Sequence, residues 1–341
     1  MKKLNIVQYG VTHEHAAGKI ATLRALTDIF EIVGIVDDRA GSAARFPQEV
    51  DMTRYEGLPF LTPGEFFRRN DIDIVAIETA NADLVPTALK CLDKKIAMHM
   101  DKPGGEDQEL FERLSRGCEE HHIPFQMGYM LRGNPAIRFC LEAVRKGLLG
   151  DIFEVQCDMN HCYGGEEYAQ YLRNFRGGLM YNLCCHLIDF TVRMMGRPDN
   201  VWSLLKTTAG SPPDSLNNCI AVLEYPHATV TLRSCSKDHG QGRRLRIAGT
   251  RGVIDMSPVE CFWKPLELTL SLSEAAGDFP AGTHKLTFPL LKDRYAPQFR
   301  ELAAVVRGEK PVPDIYAHDR LVNEVVLACS QLPGRPKQSG Q

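Results

Sequence analysis

The segment Leu4–Asp38, which reads LNIVQYGVTHEHAAGKIATLRALTDIFEIVGIVDD, decides the fold of this chain. Strand-forming residues over Leu4–Gln8 are followed by a helical spacing of apolar residues over Glu14–Leu26 and by a second apolar run over Phe30–Asp38. A strand, a helix and a strand in this order form a βαβ unit, whose two strands lie parallel in one sheet. The segment therefore predicts a parallel sheet that is covered by helices.

The same alternation continues to about residue 130 and then stops. The spacing predicts further helices over 63–69, 83–92 and 107–121, and further strands over 73–79, 95–100 and 124–130. Strands that alternate with helices in this way are typical of a doubly wound parallel sheet, the Rossmann architecture, which binds dinucleotides. We therefore predict an α/β chain whose first domain, over 1–130, is a NAD(P)-binding Rossmann domain.

The rest of the chain has a different pattern. A predicted helix over 134–150 is followed by six strand-like runs with little helix between them, which favours an α+β domain with a mostly antiparallel open sheet. We expect this second domain over 131–330, with two helices, 296–307 and 318–331, near its end. The segment 331–341 is rich in proline, glycine and polar residues, and we expect it to be a disordered tail.

Composition and charge exclude several classes of partner. Lys and Arg total 40 against 43 for Asp and Glu, so there is no basic excess for binding nucleic acid or an anionic membrane. The first ten residues are too short and too polar for a signal-peptide core, and no apolar run is long enough to cross a bilayer. The eleven cysteines are scattered, which indicates reduced thiols in a cytoplasmic protein. We expect a small-molecule substrate.

The loop after the first predicted strand resembles a pyrophosphate-binding turn only in part. In the pattern G-x-G-x-x-G, Gly10 keeps the first glycine, while Thr12 and His15 stand at the second and third. The second strand ends in Asp37, whose carboxylate can accept hydrogen bonds from ribose hydroxyls and repel a 2′-phosphate. The sequence thus favours NAD as cofactor, although the neighbouring Arg39 leaves NADP open.

The pair His13 and His15 also raises the question of a metal. A His-x-His pair after the first strand is how metal-dependent amidohydrolase barrels begin, but that fold needs eight βα units and further ligands at later strand ends. Here the alternation ends near residue 130, and His99 and His186 do not complete a ligand set. We therefore expect no metal, and hydrolysis by such a barrel is the weaker hypothesis.

Two further motifs resemble the family that includes glucose-fructose oxidoreductase, inositol dehydrogenase and MocA, known as Gfo/Idh/MocA. The segment HMDKPGG (His99–Gly105) resembles the family's Glu-Lys-Pro signature, with Asp101 in place of Glu. The segment RGGLMYNLCCHLIDF (Arg176–Phe190) is similar to its Gly-Gly-Gly-x-Leu-x-Asp-x-Gly-x-His-x-x-Asp motif, and ETANADL (Glu78–Leu84) is similar to its Thr-Pro-Asn turn. The similarity extends over nearly the whole chain, from about Leu4 to Ser330.

The resemblance implies roles for particular residues. It implies that His186 is the general acid/base and that Lys102 stabilises the substrate oxygen next to the nicotinamide. Asn182 stands where the family has an aspartate, one helical turn before the histidine and on the same face, and it can bond a substrate hydroxyl but cannot accept a proton. The implied cofactor contacts are Gly10, Thr12, His13, His15, Asp37, Thr79, Asn81, Asp101 and Lys102, and the implied substrate contacts are Lys102, Tyr171, Arg173, Asn182 and His186.

The predicted function is NAD(P)-dependent hydride transfer to or from a secondary alcohol of a sugar, cyclitol or related hydroxy compound. Two alternatives on the same scaffold stay open. One is a non-catalytic dinucleotide- or sugar-binding regulatory protein, and the other is a redox-neutral NAD-assisted lyase or epimerase. The resemblance also implies a homodimer or homotetramer.

Overall fold

A computed structural model describes residues 2–240 and 242–332. These residues form two compact units. Within the described residues, the first unit covers 2–129 and 295–323, and the second covers 130–294 and 324–332. The return of Tyr295–Asn323 to the first unit differs from the continuous second domain, 131–330, that the sequence predicts.

The first unit contains a six-stranded sheet with strand order β3-β2-β1-β4-β5-β6, in which every pair is parallel. This is the strand order of dinucleotide-binding Rossmann folds, as the sequence predicts. Its strands are β1 (Leu4–Tyr9), β2 (Phe30–Val36), β3 (Phe60–Leu61), β4 (Ile74–Ile77), β5 (Ala97–Met100) and β6 (Phe125–Met127). Its helices before residue 130 are α1 (Ala16–Ala25), α2 (Pro63–Arg68), α3 (Asn81–Asp93) and α4 (Gln108–Glu120).

The central strands show why this part of the chain forms a parallel sheet. Every residue of β4 and β5 is buried, which fits strands that are covered by helices on both faces. Because the chain crosses from β3 to the other side of β1 to form β4, the switch point of the sheet lies between β1 and β4. Ligands of such sheets bind beyond the carboxyl ends of the strands at this point.

A late helix, α9 (Ala296–Val306), completes the core of the first unit. Phe299 and Leu302 are buried in the cluster that contains Ile20 and Phe30, and the Phe299 and Phe30 rings meet edge to face at 6.1 Å. Burial of side chains of this size contributes about 1.5–3 kcal/mol each. Sequence order does not reveal this contact, because nearly 270 residues separate its two partners.

The second unit contains an eight-stranded, mostly antiparallel open sheet in the order β14-β13-β12-β11-β7-β10-β9-β8, as expected from the sequence, with one parallel pair between β7 and β10. Its strands are β7 (Ile152–Met159), β8 (Asn200–Lys206), β9 (Asn218–Tyr225), β10 (Ala228–Cys235), β11 (Arg243–Gly249), β12 (Gly252–Met256), β13 (Leu266–Leu272) and β14 (Gly282–Phe288). Its helices are α5 (Pro135–Arg145), α6 (Gly165–Leu172), α7 (Gly178–Asn182) and α8 (Cys185–Met195). A last helix, α10 (Tyr316–Cys329), begins in the first unit and ends in the second.

Several expectations from the sequence need correction. The barrel hypothesis is wrong, because the described residues form two open sheets. Helix α5 ends at Arg145 rather than near Gly150, since Gly147 and Gly150 both have positive φ angles that end a helix. The predicted tail over 331–341 begins with two described residues that bond to the end of α10, and its remainder, 333–341, lies outside the described residues.

Two further expectations concern membranes and thiols. Within the described chain, no helix combines the length and the apolar character that crossing a membrane requires. All eleven cysteines are free, and all except Cys162 are buried, as expected for core thiols. Burial raises the pKa of several of them, for example of Cys91 and Cys140 to about 12.

Candidate active site

Three strand ends of the first unit meet at the switch point of its sheet and carry most of the predicted cofactor residues. Gly10 follows β1, Thr79 follows β4, and Asp101 and Lys102 follow β5. Asn81, the first residue of α3, joins them because its side-chain amide donates to the Lys102 carbonyl oxygen at 3.1 Å. The strand order alone places these residues together.

Gly10 brings the loop after β1 against the end of β4. Its φ is +105°, and a Cβ at this position would lie 2.4 Å from the Glu78 carbonyl carbon and the Thr79 nitrogen. The His13 N–H donates to the Glu78 carbonyl oxygen at 3.0 Å and fixes the same approach. The first glycine of the altered motif is thus required by backbone packing.

The acidic end of β2 holds the loop through Asp38 rather than through Asp37. The Val11 N–H donates to Asp38 Oδ1 at 2.8 Å, and the Thr12 hydroxyl donates to Asp38 Oδ2. Asp37 pairs instead with Arg39, whose Nη2 lies 2.7 Å from Asp37 Oδ2, and these hydrogen bonds lower the pKa of Asp37. The sequence shows two adjacent acidic residues at the end of this strand, but it did not identify Asp38 as the one that binds the loop.

A buried ion network lies beneath this loop. Lys19 Nζ, from α1, lies 2.9 Å from Asp101 Oδ2, 3.0 Å from Glu78 Oε1 and 2.6 Å from His99 Nε2, and all four side chains are fully buried. Burial opposes the charge of Lys19, but the two carboxylates raise its pKa. Burial raises the pKa of Glu78 well above its usual range, whereas the pKa of Asp101 stays well below its own because His13, Lys19 and His15 outweigh burial.

Both loop histidines face this network. His13 Nδ1 lies 3.4 Å from Asp101 Oδ2 and 3.7 Å from Glu78 Oε2, and its side chain is fully buried. His15 Nδ1 lies 3.0 Å from Asp101 Oδ2, and 17% of its side chain is exposed. Burial lowers the pKa of His13 to about 3, although Asp101 opposes this shift. The rings thus contact carboxylates, and the cofactor contacts of both residues stay a prediction.

Lys102 is buried and paired with Glu14 of the loop. Its Nζ lies 2.8 Å from Glu14 Oε1, and only 1% of the lysine side chain is exposed, so this is not a surface salt bridge. Burial opposes ionisation of Glu14, but Lys102 and the nearby histidines lower its pKa to about 2. Sequence reasoning missed Glu14, Lys19 and Glu78, because their importance depends on contacts between distant segments.

The predicted substrate residues lie in the second unit, around α6 to α8. The Asn182 side-chain amide donates to the Tyr168 hydroxyl at 3.3 Å. Tyr171 packs on Phe175 with ring centroids 5.1 Å apart, and Arg173 donates to the Gln170 side chain at 2.8 Å. His186, on α8, is 1% exposed.

One expectation about this group is wrong. Asn182 is the last residue of α7 and His186 lies in the first turn of α8, so the two residues do not share one continuous helical face. The break lies at Leu183 and Cys184, where the Cys184 N–H donates to the Leu179 carbonyl five residues earlier. At the start of α7, Gly178 has a φ of +52° and approaches Leu216 closely, because a Cβ there would lie 2.4 Å from the Leu216 side chain.

Asp189 is also buried, and it pairs with Arg132. The arginine Nε lies 3.1 Å and 3.0 Å from the two carboxylate oxygens, and Nη2 lies 2.5 Å from Oδ1. Asp189 is therefore an internal structural residue rather than a residue of the helix surface. The adjacent Cys184 is fully buried, and burial raises its thiol pKa well above the usual range, which fits core packing.

The architecture defines the class of protein first, namely a Rossmann unit joined to an α+β unit with an open sheet. Among solved structures, the chain is similar to an aldose-aldose oxidoreductase from Caulobacter crescentus complexed with glycerol, with 17% identity, a TM-score of 0.77 and 97% of each chain covered. It is also similar to a 3-ketoreductase from Actinomadura kijaniata in complex with TDP-benzene and NADP, with 17% identity, a TM-score of 0.74 and 96% of each chain covered. At this identity the similarity establishes the fold.

Sequence comparison then gives the family model that part of the chain matches. Residues 137–255 match the model of the Gfo/Idh/MocA C-terminal domain. The chain is 22% identical over 248 residues to the 2,7-anhydro-N-acetylneuraminate hydratase of Mediterraneibacter gnavus, with 67% of this chain and 61% of that protein covered. It is 25% identical over 148 residues to the rhizopine catabolism protein MocA of Rhizobium meliloti, with 43% of each covered. The match over residues 137–255 agrees with the resemblance that the motifs indicate, and the chain spans less than two thirds of the length of these relatives.

Proposed function

We propose that the protein is an NAD(P)-dependent oxidoreductase that acts on a secondary alcohol or ketone of a sugar, cyclitol or related hydroxy compound. The observation that carries this proposal is the convergence of Gly10, Thr79, Asp101 and Lys102 at the switch point of a parallel sheet of Rossmann strand order. The match of residues 137–255 to the Gfo/Idh/MocA C-terminal domain, and a relative that is named an oxidoreductase, support the same proposal.

The residues around the loop fit a dinucleotide. Helix α1 has no acidic residue in its first turn and no side-chain cap, so its N-terminus can receive a pyrophosphate. Thr12 and His15 are partly exposed side chains of this loop, and we assign the phosphate contacts to them and to the backbone. The His13 ring is directed inward, and its part in the site is to hold the loop.

Asp37 and Arg39 form an ion pair at the position that distinguishes NAD from NADP. An unpaired carboxylate at the end of β2 would repel a 2′-phosphate. Here Arg39 neutralises Asp37 and is itself 48% exposed, so its guanidinium can also meet a phosphate. The NADP in the structure of the 3-ketoreductase relative is consistent with acceptance of NADP as well as NAD.

Lys102 and His186 are the proposed catalytic residues. A bound nicotinamide dinucleotide would accept or return the hydride. The Lys102 ammonium stabilises negative charge on the substrate oxygen, and Glu14 holds this ammonium in place at 2.8 Å. His186 takes up or returns the hydroxyl proton, and Asn182, Tyr171 and Arg173 bind the substrate's other polar groups.

The test is reduction of NAD and NADP by the full chain during a screen of polyols, sugars and sugar acids. Loss of a general acid/base or of an electrostatic stabiliser costs about 10²–10⁴-fold in rate, so Lys102→Ala and His186→Ala should each lose at least about 100-fold in kcat/KM. Lys3→Ala and His227→Ala, at exposed positions, are the matched controls. Turnover that is equal in all four variants would overturn the assignment.

A redox-neutral reaction is the second candidate, because one relative is named a hydratase. In such a reaction the chain would oxidise and then re-reduce its substrate, with elimination, hydration or epimerisation in between. Mass spectrometry and chromatography of the same substrate panel would detect a changed product without net formation of NADH or NADPH.

We also propose that the protein forms a homo-oligomer through the open sheet of the second unit. Trp202 and Leu204 of β8 are 66% and 62% exposed, and their register partners on β9 are Val222 and Ile220. An apolar row on an open sheet face favours association. Light scattering should show a lower mass for Trp202→Glu than for the control Trp263→Glu, in which the similarly exposed Trp263 lies outside the sheet.

A further inference from the structure

We propose that the loop after β1 and the ends of β4 and β5 form a binding site for a divalent transition-metal ion. The ligands are His13, His15 and Asp101, whose ligand atoms all lie within 4.8 Å of one another. Glu78 lies beside them and is the fourth ligand. The sequence predicts no metal, because His99 and His186 do not complete a ligand set with His13 and His15. In the folded chain, carboxylates rather than further histidines lie next to this pair.

The distances between the ligand atoms fit one metal ion. Ligand atoms about 2.0–2.2 Å from a metal are separated by about 3.3–3.6 Å in a tetrahedron and by about 2.8–3.1 Å at right angles. Asp101 Oδ2 lies 3.4 Å from His13 Nδ1 and 3.0 Å from His15 Nδ1, and His13 Nδ1 lies 3.7 Å from Glu78 Oε2. Asp101 Oδ2 therefore lies at ligand spacing from both histidine nitrogens, and Glu78 Oε2 lies just beyond that spacing from His13.

Within the described chain, one buried oxygen of this group lacks a hydrogen-bond donor, and one buried nitrogen faces carboxylate oxygens. Glu78 Oε2 is buried, and among the described residues no donor lies within hydrogen-bond distance of it. The His15 N–H donates to His13 Nδ1 at 3.2 Å, so this nitrogen carries a lone pair rather than a proton. The same nitrogen faces two carboxylate oxygens, and a metal ion between them would convert this repulsion into coordination.

Lys19 does not complete the site by itself. Its ammonium contacts Asp101 Oδ2 and Glu78 Oε1 but leaves Glu78 Oε2 without a donor among the residues that the structure describes. Hydrogen bonds from a neighbouring cation to carboxylate ligands are common around protein-bound metals, and they orient the ligands. The second ring nitrogen of His15 also faces a neighbouring group, because Nε2 lies 3.8 Å from the carboxylate oxygen Glu14 Oε1.

The donor set of this region also favours a transition-metal ion. Two imidazoles with carboxylate oxygens are the donor set of zinc, iron(II), cobalt(II) and manganese(II), rather than of magnesium or calcium. Such an ion would join the loop to the ends of two strands at the switch point and so hold the loop rigid.

The test is a titration of the full chain with Co²⁺, without nucleotide, after removal of bound metal by a chelator and dialysis. We expect one equivalent of Co²⁺ to bind with the weak visible bands of nitrogen and oxygen ligands and without the intense near-ultraviolet band of thiolates. The measurement is absorbance in the absence of nucleotide. A failure to bind Co²⁺ would therefore contradict the metal site but not the proposed oxidoreductase function.

The variants His13→Ala and His15→Ala identify the ligands, and His121→Ala, at an exposed position after α4, is the control. Loss of a group that only supports a ligand costs about 10–100-fold in metal affinity, so loss of a ligand should cost at least about 100-fold. His15 is partly exposed, so its replacement keeps the test valid even if His13→Ala does not fold. No stoichiometric binding by the wild-type chain, a thiolate spectrum, or equal binding by all variants would each overturn the proposal.

Discussion

Replacement of Gly10 by alanine tests the close approach of the loop after β1 to the end of β4. The added Cβ would lie 2.4 Å from two backbone atoms of residues 78 and 79, and alanine would have to adopt a φ of +105°. A left-handed backbone costs about 1–2 kcal/mol, and overpacking costs about 1–3 kcal/mol. We therefore expect Gly10→Ala to lower the free energy of unfolding by about 2–5 kcal/mol.

Two other glycines separate these contributions. Gly57 also has a positive φ, +74°, but a Cβ added there would have no atom within 4 Å, so Gly57→Ala should cost only the backbone strain of about 1–2 kcal/mol. Gly41 has open space and no positive φ, and Gly41→Ala should stay within about 0.5 kcal/mol of the wild type.

Urea denaturation followed by circular dichroism measures this series. With an m-value of about 1–3 kcal/mol/M, the midpoint for Gly10→Ala should fall by roughly 1–2 M or more. The displaced loop should also weaken dinucleotide binding by about 10–100-fold in a calorimetric titration. If Gly10→Ala is no less stable than Gly57→Ala, the close contact with β4 contributes nothing and the reasoning fails.

Two further predictions concern ion pairs. Asp189→Ala should destabilise the second unit by about 3–5 kcal/mol, because it leaves the Arg132 guanidinium buried without its carboxylate partner. Urea denaturation checks this, and a double variant with Arg132→Met should recover most of the loss. Arg39→Ala frees the Asp37 carboxylate and should raise KM for NADP about tenfold more than KM for NAD, as measured by initial rates with both cofactors. Equal changes for the two cofactors would show that the pair does not select between them.

Much of the fold follows from short-range patterns in the sequence. The βαβ pattern of Leu4–Asp38, the alternation up to residue 130 and the change to clustered strands afterwards predict both sheets. The Rossmann strand order also places Gly10, Thr79 and Lys102 at one edge, because the carboxyl ends of parallel strands lie on the same side of a sheet.

Other features depend on contacts that no local pattern encodes. The helix break between Asn182 and His186 lies at Leu183 and Cys184, where the Cys184 N–H donates to the Leu179 carbonyl, and the choice of Asp38 over Asp37 follows from which carboxylate faces the loop. Neither could be predicted by counting residues along a helix or a strand.

The loop sequence VTHEHAAG illustrates the difference. The sequence by itself determined that this loop follows the first strand of a parallel sheet, since periodicity and glycine placement act over a few residues. Only the tertiary structure decided what surrounds its histidines, because Glu78 and Asp101 come from strands more than 60 residues away. Burial of these carboxylates with Lys19 places the two histidines in a charged interior rather than in solvent.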